Sequence, residues 1–349
     1  MTSRSATTDA DETEMTPDRP AVPTTMQAAV ARDYGTAEVV AIEEVPTPVP
    51  AEGEVLVHVE ASSLNALDWH FLTGTPLFMR LMSGLRRPKR IIHGADVAGT
   101  VVAVGSGVTR FDVGDTVFGE CEGGGFAPYL AVDEDRIVAK PAEVSFEAAG
   151  ATGVAGLTAL LGLRTYGKVE PGDQVLVNGA AGGVGTFAVQ IAVVLGAEVT
   201  AVCSTGNVEM VRSLGAAHVV DYTREDFVPG GERFDVMFDN VGNRTSREIL
   251  SVLGPDARYV AITGPKENRL FGPVPKILGT GLRFIRAEPS FHQFTASPNH
   301  EDLTFLGELL SGGKVVPRVH RVVGLDGVAE GLAEIGTGHT PAKIVVVPG

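Results

Sequence analysis

Val175-Leu-Val-Asn-Gly-Ala-Ala-Gly-Gly-Val-Gly185 is the stretch that decides the fold. Gln174 to Asn178 read as a short apolar strand after the turn Pro171-Gly172-Asp173, and Val184 to Leu195 read as a helix. Glycines lie between them. A residue without a Cβ lets the backbone approach a pyrophosphate, and a helix start supplies free N–H groups and a positive dipole end. The spacing departs from the plain G-x-G-x-x-G. Ala180 takes the first position, Gly182 and Gly185 follow, and Gly179 stands just before. Strand, loop and helix in this order predict a dinucleotide site at Ala180, Gly182, Gly183, Val184 and Gly185. A tight structural turn is the alternative.

The chain beyond the loop repeats the alternation. Glu198 to Val202 read as a strand and Asn207 to Leu214 as a helix, followed by short apolar strands at His218–Val220, Asp235–Phe238 and Tyr259–Thr263. Ahead of the loop, Phe146 to Thr165 read as one Ala- and Leu-rich helix. Strands alternating with helices predict an α/β fold with a doubly wound parallel sheet. The first part of the chain differs in kind. Gln27–Ala31, Val39–Glu44, Glu54–Ala61 and Val97–Val104 are Val-rich β segments, broken by Pro46, Pro48, Pro50, Gly105, Gly107 and Gly114. The end reads as a helix at Leu303–Leu310, a strand at Val315–Val322, a helix at Val328–Ile335 and a strand at Lys343–Val347.

A length of 349 residues suits two domains. The net charge of −15 makes nucleic acid and an anionic membrane poor partners overall. One basic run, Arg86, Arg87, Lys89 and Arg90, reads as a solvated loop, with a phosphate or partner contact as the alternative. Two cysteines, Cys121 and Cys203, make no disulfide framework and fit a reducing compartment, so a cytoplasmic location is expected. No apolar run is long enough to cross a bilayer. Residues 1–25, rich in Thr, Asp, Glu and Pro, read as a disordered tail, or as sequence ahead of a true start at Met26.

The end of the second strand bears on the cofactor. An NAD enzyme places an acid roughly 20 residues on to hold the ribose 2′-OH. Thr200-Ala-Val-Cys-Ser-Thr-Gly-Asn207 contains none, and Ser204 and Thr205 offer hydroxyls and room for a 2′-phosphate. NADPH is therefore expected, with NADH as the alternative. No Arg or Lys appears before Arg212, which leaves the case incomplete.

Several further stretches carry a resemblance. Tyr34-Gly35, Leu64-Asn-Ala-Leu-Asp-Trp-His-Phe-Leu-Thr-Gly74, Gly94-Ala-Asp-Val-Ala-Gly99, Val113-Gly-Asp-Thr-Val-Phe-Gly119, Gly124-Gly-Phe-Ala-Pro-Tyr129, the Gly179–Gly185 loop and Leu214-Gly-Ala216 resemble zinc-independent quinone oxidoreductases of the medium-chain dehydrogenase/reductase superfamily. Cys203-Ser-Thr205, Asn207-Val-Glu209 and Val219-Val-Asp-Tyr222 look like the branch of mitochondrial reticulon-interacting oxidoreductases and bacterial NADP-dependent alcohol dehydrogenase-like proteins. The resemblance implies a GroES-like catalytic domain (residues 26–148 and 297–349) split around a Rossmann domain (149–296), a cleft between them and a homodimer. Zinc members carry Cys where this chain has Asn65, and a His-Glu pair where it has Ala95-Asp96, so no metal is expected. Relatives meet the 2′-phosphate with Ser or Thr, Lys and Tyr. Ser204 and Tyr222 match, while Asn207 stands where the Lys would be. Thr158, Asn240 and Val241, with Gly242, fall at positions that line the cofactor, and Lys343 matches a C-terminal lysine or is a surface residue.

Without zinc, alcohol oxidation lacks its Lewis acid, whereas a quinone or enone is its own electron sink. Hydride transfer from NADPH to a quinone or α,β-unsaturated carbonyl compound is the expected reaction. Asn65 is expected to hold the nicotinamide or the substrate oxygen, or to make only a local turn bond. His70 is expected to protonate or bind the enolate oxygen, or to be structural, and Asp68 to serve the site or merely orient backbone. A non-catalytic NADPH-binding regulatory or sensor protein is the alternative function. An enoyl reductase module of a larger synthase fits the free-standing length poorly, and a role in RNA binding fits the charge poorly.

Overall fold

The structure is a computed structural model and describes residues 22–228, 231, 233–262 and 270–349. The expected tail lies outside the described residues up to position 21, as does Thr263 at the end of an expected strand.

The β-rich part begins with a hairpin of β1 (Thr25–Ala31) and β2 (Val40–Pro46). Then come β3 (Glu54–Leu64), α1 (Ala66–Thr73), α2 (Arg80–Ser83), β4 (Asp96–Val104), β5 (Thr116–Glu120), β6 (Tyr129–Asp133) and β7 (Ile137–Ala139). Two helices, α3 (Phe146–Gly150) and α4 (Gly153–Leu160), lead into β8 (Gln174–Asn178), α5 (Gly183–Val194), β9 (Glu198–Cys203), α6 (Val208–Ser213) and β10 (His218–Asp221). The second half of this unit is β11 (Phe234–Asp239), α7 (Ser246–Val252), β12 (Leu253–Ala261), α8 (Val274–Phe284) and β13 (Ser290–Gln293). The chain ends with α9 (His300–Ser311), β14 (Val319–Val323), α10 (Val328–Thr337) and β15 (Lys343–Val346).

Six strands form one parallel sheet in the order β10-β9-β8-β11-β12-β13. That is the doubly wound order, and it reverses between β8 and β11, where such sheets open a crevice for a dinucleotide at their carboxyl ends. Both faces are covered, as the near-continuous apolar strands require. Val175, Val177, Val236 and Phe238 pack with Phe187 and Ile191 of α5, while Leu176 and Met237 pack on the other side with Ile249 and Phe284.

The other sheet runs β14-β15-β3-β4-β5-β7, with β6 also on β3. β15 pairs antiparallel with β3, Ile344 opposite Leu64 and Val346 opposite Ser62. The chain end thus completes the sheet of the β-rich domain, and the fold is a GroES-like domain joined to a Rossmann-like parallel-sheet domain.

Two expected elements differ. The single helix over Phe146–Thr165 is divided: α3 stops at Gly150, α4 starts at Gly153, and the last turns, Leu161–Tyr166, widen into a π-helix. The break lies where the chain presses on the β-rich domain. A Cβ on Gly153 would stand 2.4 Å from the Gly119 carbonyl oxygen, and the Asp96 carboxylate accepts the Val154 N–H at 2.6 Å. The strand expected over Val315–Val322 pairs only from Val319 to Val323. Val315 is instead buried in the core beside Leu309 and Leu310 of α9, so its apolar character serves packing.

Candidate active site

The glycine loop joins β8 to α5 at the switch point. Gly182 is the N-cap of α5, with φ −76° and ψ 173°. No side chain caps this helix and its first turn carries no acid, so the N–H groups at Val184 and Gly185 remain for a ligand, while the chain end bridges the loop in parallel at Gly182 and Ala342 and meets the Gly183 N–H. Gly185 has to be glycine, since a Cβ there would lie 2.1 Å from the Gly179 carbonyl oxygen. Ala180 is fully buried, and its N–H bonds the Val202 carbonyl of β9 at 3.0 Å. It fixes the loop to the sheet.

The turn after β11 faces that loop. Asn240 N–H bonds the Asn178 carbonyl at 3.0 Å. Its side-chain oxygen and nitrogen are both buried without a hydrogen-bond partner among the described residues. A buried amide with neither end satisfied is costly unless a ligand completes it. Asp239, which the sequence reading missed, shapes this turn. Its Oδ1 accepts the Val241 and Gly242 N–H groups at 3.0 and 2.9 Å, and its Oδ2 accepts the Tyr259 hydroxyl at 2.9 Å. The Val241 N–H is therefore engaged by the protein. Thr158 sits buried on α4, its carbonyl also engaged by the helix through Leu161 N–H.

At the end of β9, Ser204 precedes a short turn over Thr205–Asn207, and the Asn207 amide donates to Ser204 Oγ at 3.1 Å. Tyr222 is half exposed and its N–H bonds the Cys203 carbonyl at 3.0 Å, which sets its backbone beside the strand end that leads to Ser204. Thr205 turns elsewhere, donating its hydroxyl to Asp221 Oδ2 at 2.6 Å. Asp221, from the neighbouring strand, thus brings a carboxylate against Thr205 that the linear window lacks. The Thr205 hydroxyl holds this carboxyl below the usual carboxylate range.

On the opposite wall, Asn65, Asp96 and Lys343 form one buried network. Asp96 is fully buried. Its Oδ2 accepts the Asn65 amide at 2.8 Å, the Lys343 ammonium at 3.2 Å and the Ser63 hydroxyl. Lys343 Nζ also donates to Asn65 Oδ1 and to the Leu64 carbonyl. Lys343 is 2% exposed, which removes the surface reading of this residue. The stem of Lys343 lies against the start of α5, and Ala342 N–H bonds the Ala181 carbonyl at 2.7 Å. The network therefore touches the glycine loop through the chain end.

The amide of Asn65 is engaged on both sides, since its nitrogen also donates to the Ser63 carbonyl at 3.2 Å. Asp68 faces backbone. Its two oxygens accept Asn65 N–H at 2.8 Å and Gly94 N–H at 3.0 Å, while burial pushes its carboxyl up to about 7. His70 is half-buried on α1 and its Nδ1 lies 2.9 Å from the Thr75 carbonyl. A carbonyl only accepts, so Nδ1 carries a proton toward it. His93 is buried with Nε2 unpartnered among the described residues, and burial lowers its pKa to about 4. Glu120, also buried, is pushed up to about 7 by burial and by the nearby Asp96 charge.

A phosphate-cradling turn at the switch point of a parallel sheet, faced by a GroES-like domain, defines a nicotinamide-dependent oxidoreductase of the medium-chain type. Residues 51–142 match the alcohol dehydrogenase GroES-like domain, and residues 214–346 match a domain described as zinc-binding dehydrogenase. The chain is 32% identical over 341 residues to a 2-methylene-furan-3-one reductase of Solanum lycopersicum, covering 94% of this chain and 80% of that protein. It is 31% identical to the mitochondrial NAD(P)H oxidoreductase RTN4IP1 of Mus musculus, covering 93% and 89%. The quinone oxidoreductase structure from Coxiella burnetii superposes with a TM-score of 0.81 at 26% identity, covering 93% and 99%. The chain belongs to the quinone oxidoreductase-like branch of the medium-chain dehydrogenase/reductase family, and it is an NAD(P)H oxidoreductase.

The zinc in one domain's description does not fit these residues. A catalytic zinc needs three protein ligands from Cys, His or carboxylate. Among the described residues no three such side chains come together. At Asn65 and Asp96 an ammonium group already lies between amide and carboxylate. No helix among the described residues is long and apolar enough to cross a membrane.

Proposed function

We infer that the protein reduces quinones or α,β-unsaturated carbonyl compounds with NADPH and without zinc. The observation that carries this reading is Lys343, whose ammonium sits between Asn65 and Asp96, where zinc members of the superfamily place metal ligands. A lysine cation there cannot act as the Lewis acid that a saturated alcohol or aldehyde needs, which leaves acceptors that are themselves electron sinks. The names of the tomato reductase and of the Coxiella enzyme point to the same two acceptor classes.

When bound, the reduced nicotinamide supplies the hydride. The free N–H groups at the start of α5 would hold its pyrophosphate, and the Asn240 amide, unpartnered among the described residues, would take a polar group of the cofactor. Ser204, Asn207 and Tyr222 would receive the 2′-phosphate, with the Asp221 carboxylate nearby keeping the preference over NADH modest. Asn65 and Lys343 fix one another and the wall against which the substrate rests. His70, oriented by the Thr75 carbonyl, would deliver the proton to the reduced substrate in its imidazolium form and recover it from solvent. A homodimer in the cytoplasm belongs to this reading, supported by the edge strand β13 and by two buried free cysteines.

The test is oxidation of NADPH and NADH, followed by absorbance, against quinones, enones and saturated aldehydes, with and without a chelator. NADPH consumption with quinones or enones that ignores the chelator is expected. Turnover confined to saturated aldehydes and lost on chelation would overturn the assignment.

A further inference from the structure

We propose that residues 77–90 and α8 form a docking surface for an anionic lipid membrane. Both segments start at the candidate active site. Thr75, whose carbonyl orients His70, leads into the first, and Lys276 of α8 donates to the Gly242 carbonyl of the cofactor turn. They meet where Gly272 lies against the Pro76 ring. Joined at this contact, the two segments make one rim beside the candidate site.

This rim exposes large apolar side chains. Leu278, Leu282 and Ile285 are 63%, 69% and 78% exposed, and Leu81 and Leu85 are 72% and 69% exposed. With Val274 the α8 residues recur every three or four positions and make one stripe. The opposite side of α8 is satisfied, with Thr280 and Phe284 buried and Phe284 stacked on Tyr259. Isolated exposed leucines are ordinary, but a stripe of them along one helix marks an interaction site.

The charge of the same segments selects the occupant. Residues 71–95 carry Arg80, Arg86, Arg87, Lys89 and Arg90 and no acid, and residues 270–287 carry Lys276, Arg283 and Arg286 and no acid. Arg87 and Arg90 pair with Asp33 and Glu122. Arg86, Lys89, Arg283 and Arg286 stand in no ion pair among the described residues. The whole-chain charge of −15 argues against an anionic surface, yet it is an average, and this rim has the opposite sign. A helix with leucines along one stripe and arginines at its flanks is built to lie in a lipid interface. A second copy of the chain would set one basic rim against another. Nucleic acid would satisfy the arginines and leave the leucines in water.

The experiment is co-sedimentation of the intact protein with vesicles of phosphatidylcholine alone or mixed with phosphatidylglycerol, at about 0.1 M salt. Binding to the mixed vesicles and none to the neutral ones is expected. Arg283→Glu with Arg286→Glu should weaken binding at least about twentyfold, since each basic residue near an anionic surface contributes roughly fivefold. Leu278→Gln with Leu282→Gln should also release the protein, with NADPH oxidation on a water-soluble quinone and the melting temperature unchanged. Absence of binding to the mixed vesicles overturns the proposal, as does binding that ignores both double variants. A drop in solution mass on replacing the leucines, measured by light scattering, would assign the face to a second copy and equally overturn it.

Discussion

The two walls of the site are built by opposite means. The glycine loop offers main-chain N–H groups from consecutive residues at the start of α5 and leaves them without side-chain caps. The Asn65–Asp96–Lys343 wall draws side chains from β15, β4 and the β3–α1 junction, up to 278 residues apart, and satisfies them among themselves. The first wall is incomplete by design and gains its partner from solution. The second is complete in the protein, and a charge is kept inside it only because the opposite charge is there too. A change in the first wall should therefore register in ligand affinity, and a change in the second in stability.

The strongest way to break that contrast is Lys343→Met. It leaves the Asp96 carboxylate buried with no cation beside it, and removal of one partner of a buried pair costs about 3–5 kcal/mol. Denaturant unfolding should show that loss. Asp96→Asn combined with Lys343→Met removes both charges and should recover a large part of it. A single variant as stable as the parent would mean that the wall is not held by this pair.

A pH series sharpens the same contrast. Glu120 is buried near Asp96, its Oε2 lacks a hydrogen-bond partner among the described residues, and its carboxyl is raised to about 7. The folded chain then keeps this proton after the unfolded chain, with its ordinary carboxylate pKa near 4.5, has lost it. Stability contributed by the group is full below about 4.5 and declines as pH rises toward 7. Glu120→Gln removes this decline and should gain about 1–3 kcal/mol at about pH 8 relative to about pH 5, the scale of an unsatisfied buried polar group. Urea unfolding at both pH values reads the difference. An equal pH response in parent and variant would place no titration at Glu120.

Legibility in the sequence follows the same divide. The loop could be read because its strand, glycines and helix are contiguous, and the parallel, doubly wound character of the sheet follows from repeated β-α units. The polar wall could not. Nothing local distinguishes Lys343 from any strand-end lysine, and its burial follows only once β15 lies against β3. Asn65 and Asp68 were picked out by position, but their bonds to Lys343 and to Gly94 depend on chain segments far away. The division of the 146–165 helix has the same origin, because the Gly119 backbone and the Asp96 carboxylate that enforce it come from the other domain.

The smallest effect belongs to the open wall, at the adenosine end. Asn207 bonds Ser204 Oγ where relatives place a lysine, and the cations nearest in sequence are engaged. Arg212 pairs with Glu209, and Arg224 with Asp221. Asn207→Lys would add a cation beside the proposed 2′-phosphate without touching the core. The position is half-buried, and a charge pair in such a setting contributes on the order of 0.2–1 kcal/mol. That corresponds to a roughly 1.4- to fivefold gain in preference for NADPH over NADH, read from the ratio of their dissociation constants. Unfolding free energy should stay within the scatter of surface substitutions, about 0.5 kcal/mol. A ratio that does not move would remove the 2′-phosphate from this pocket. A stability loss with no change in ratio would make Asn207 part of a closed wall, and the contrast between the two sides of the cleft would fail at its open end.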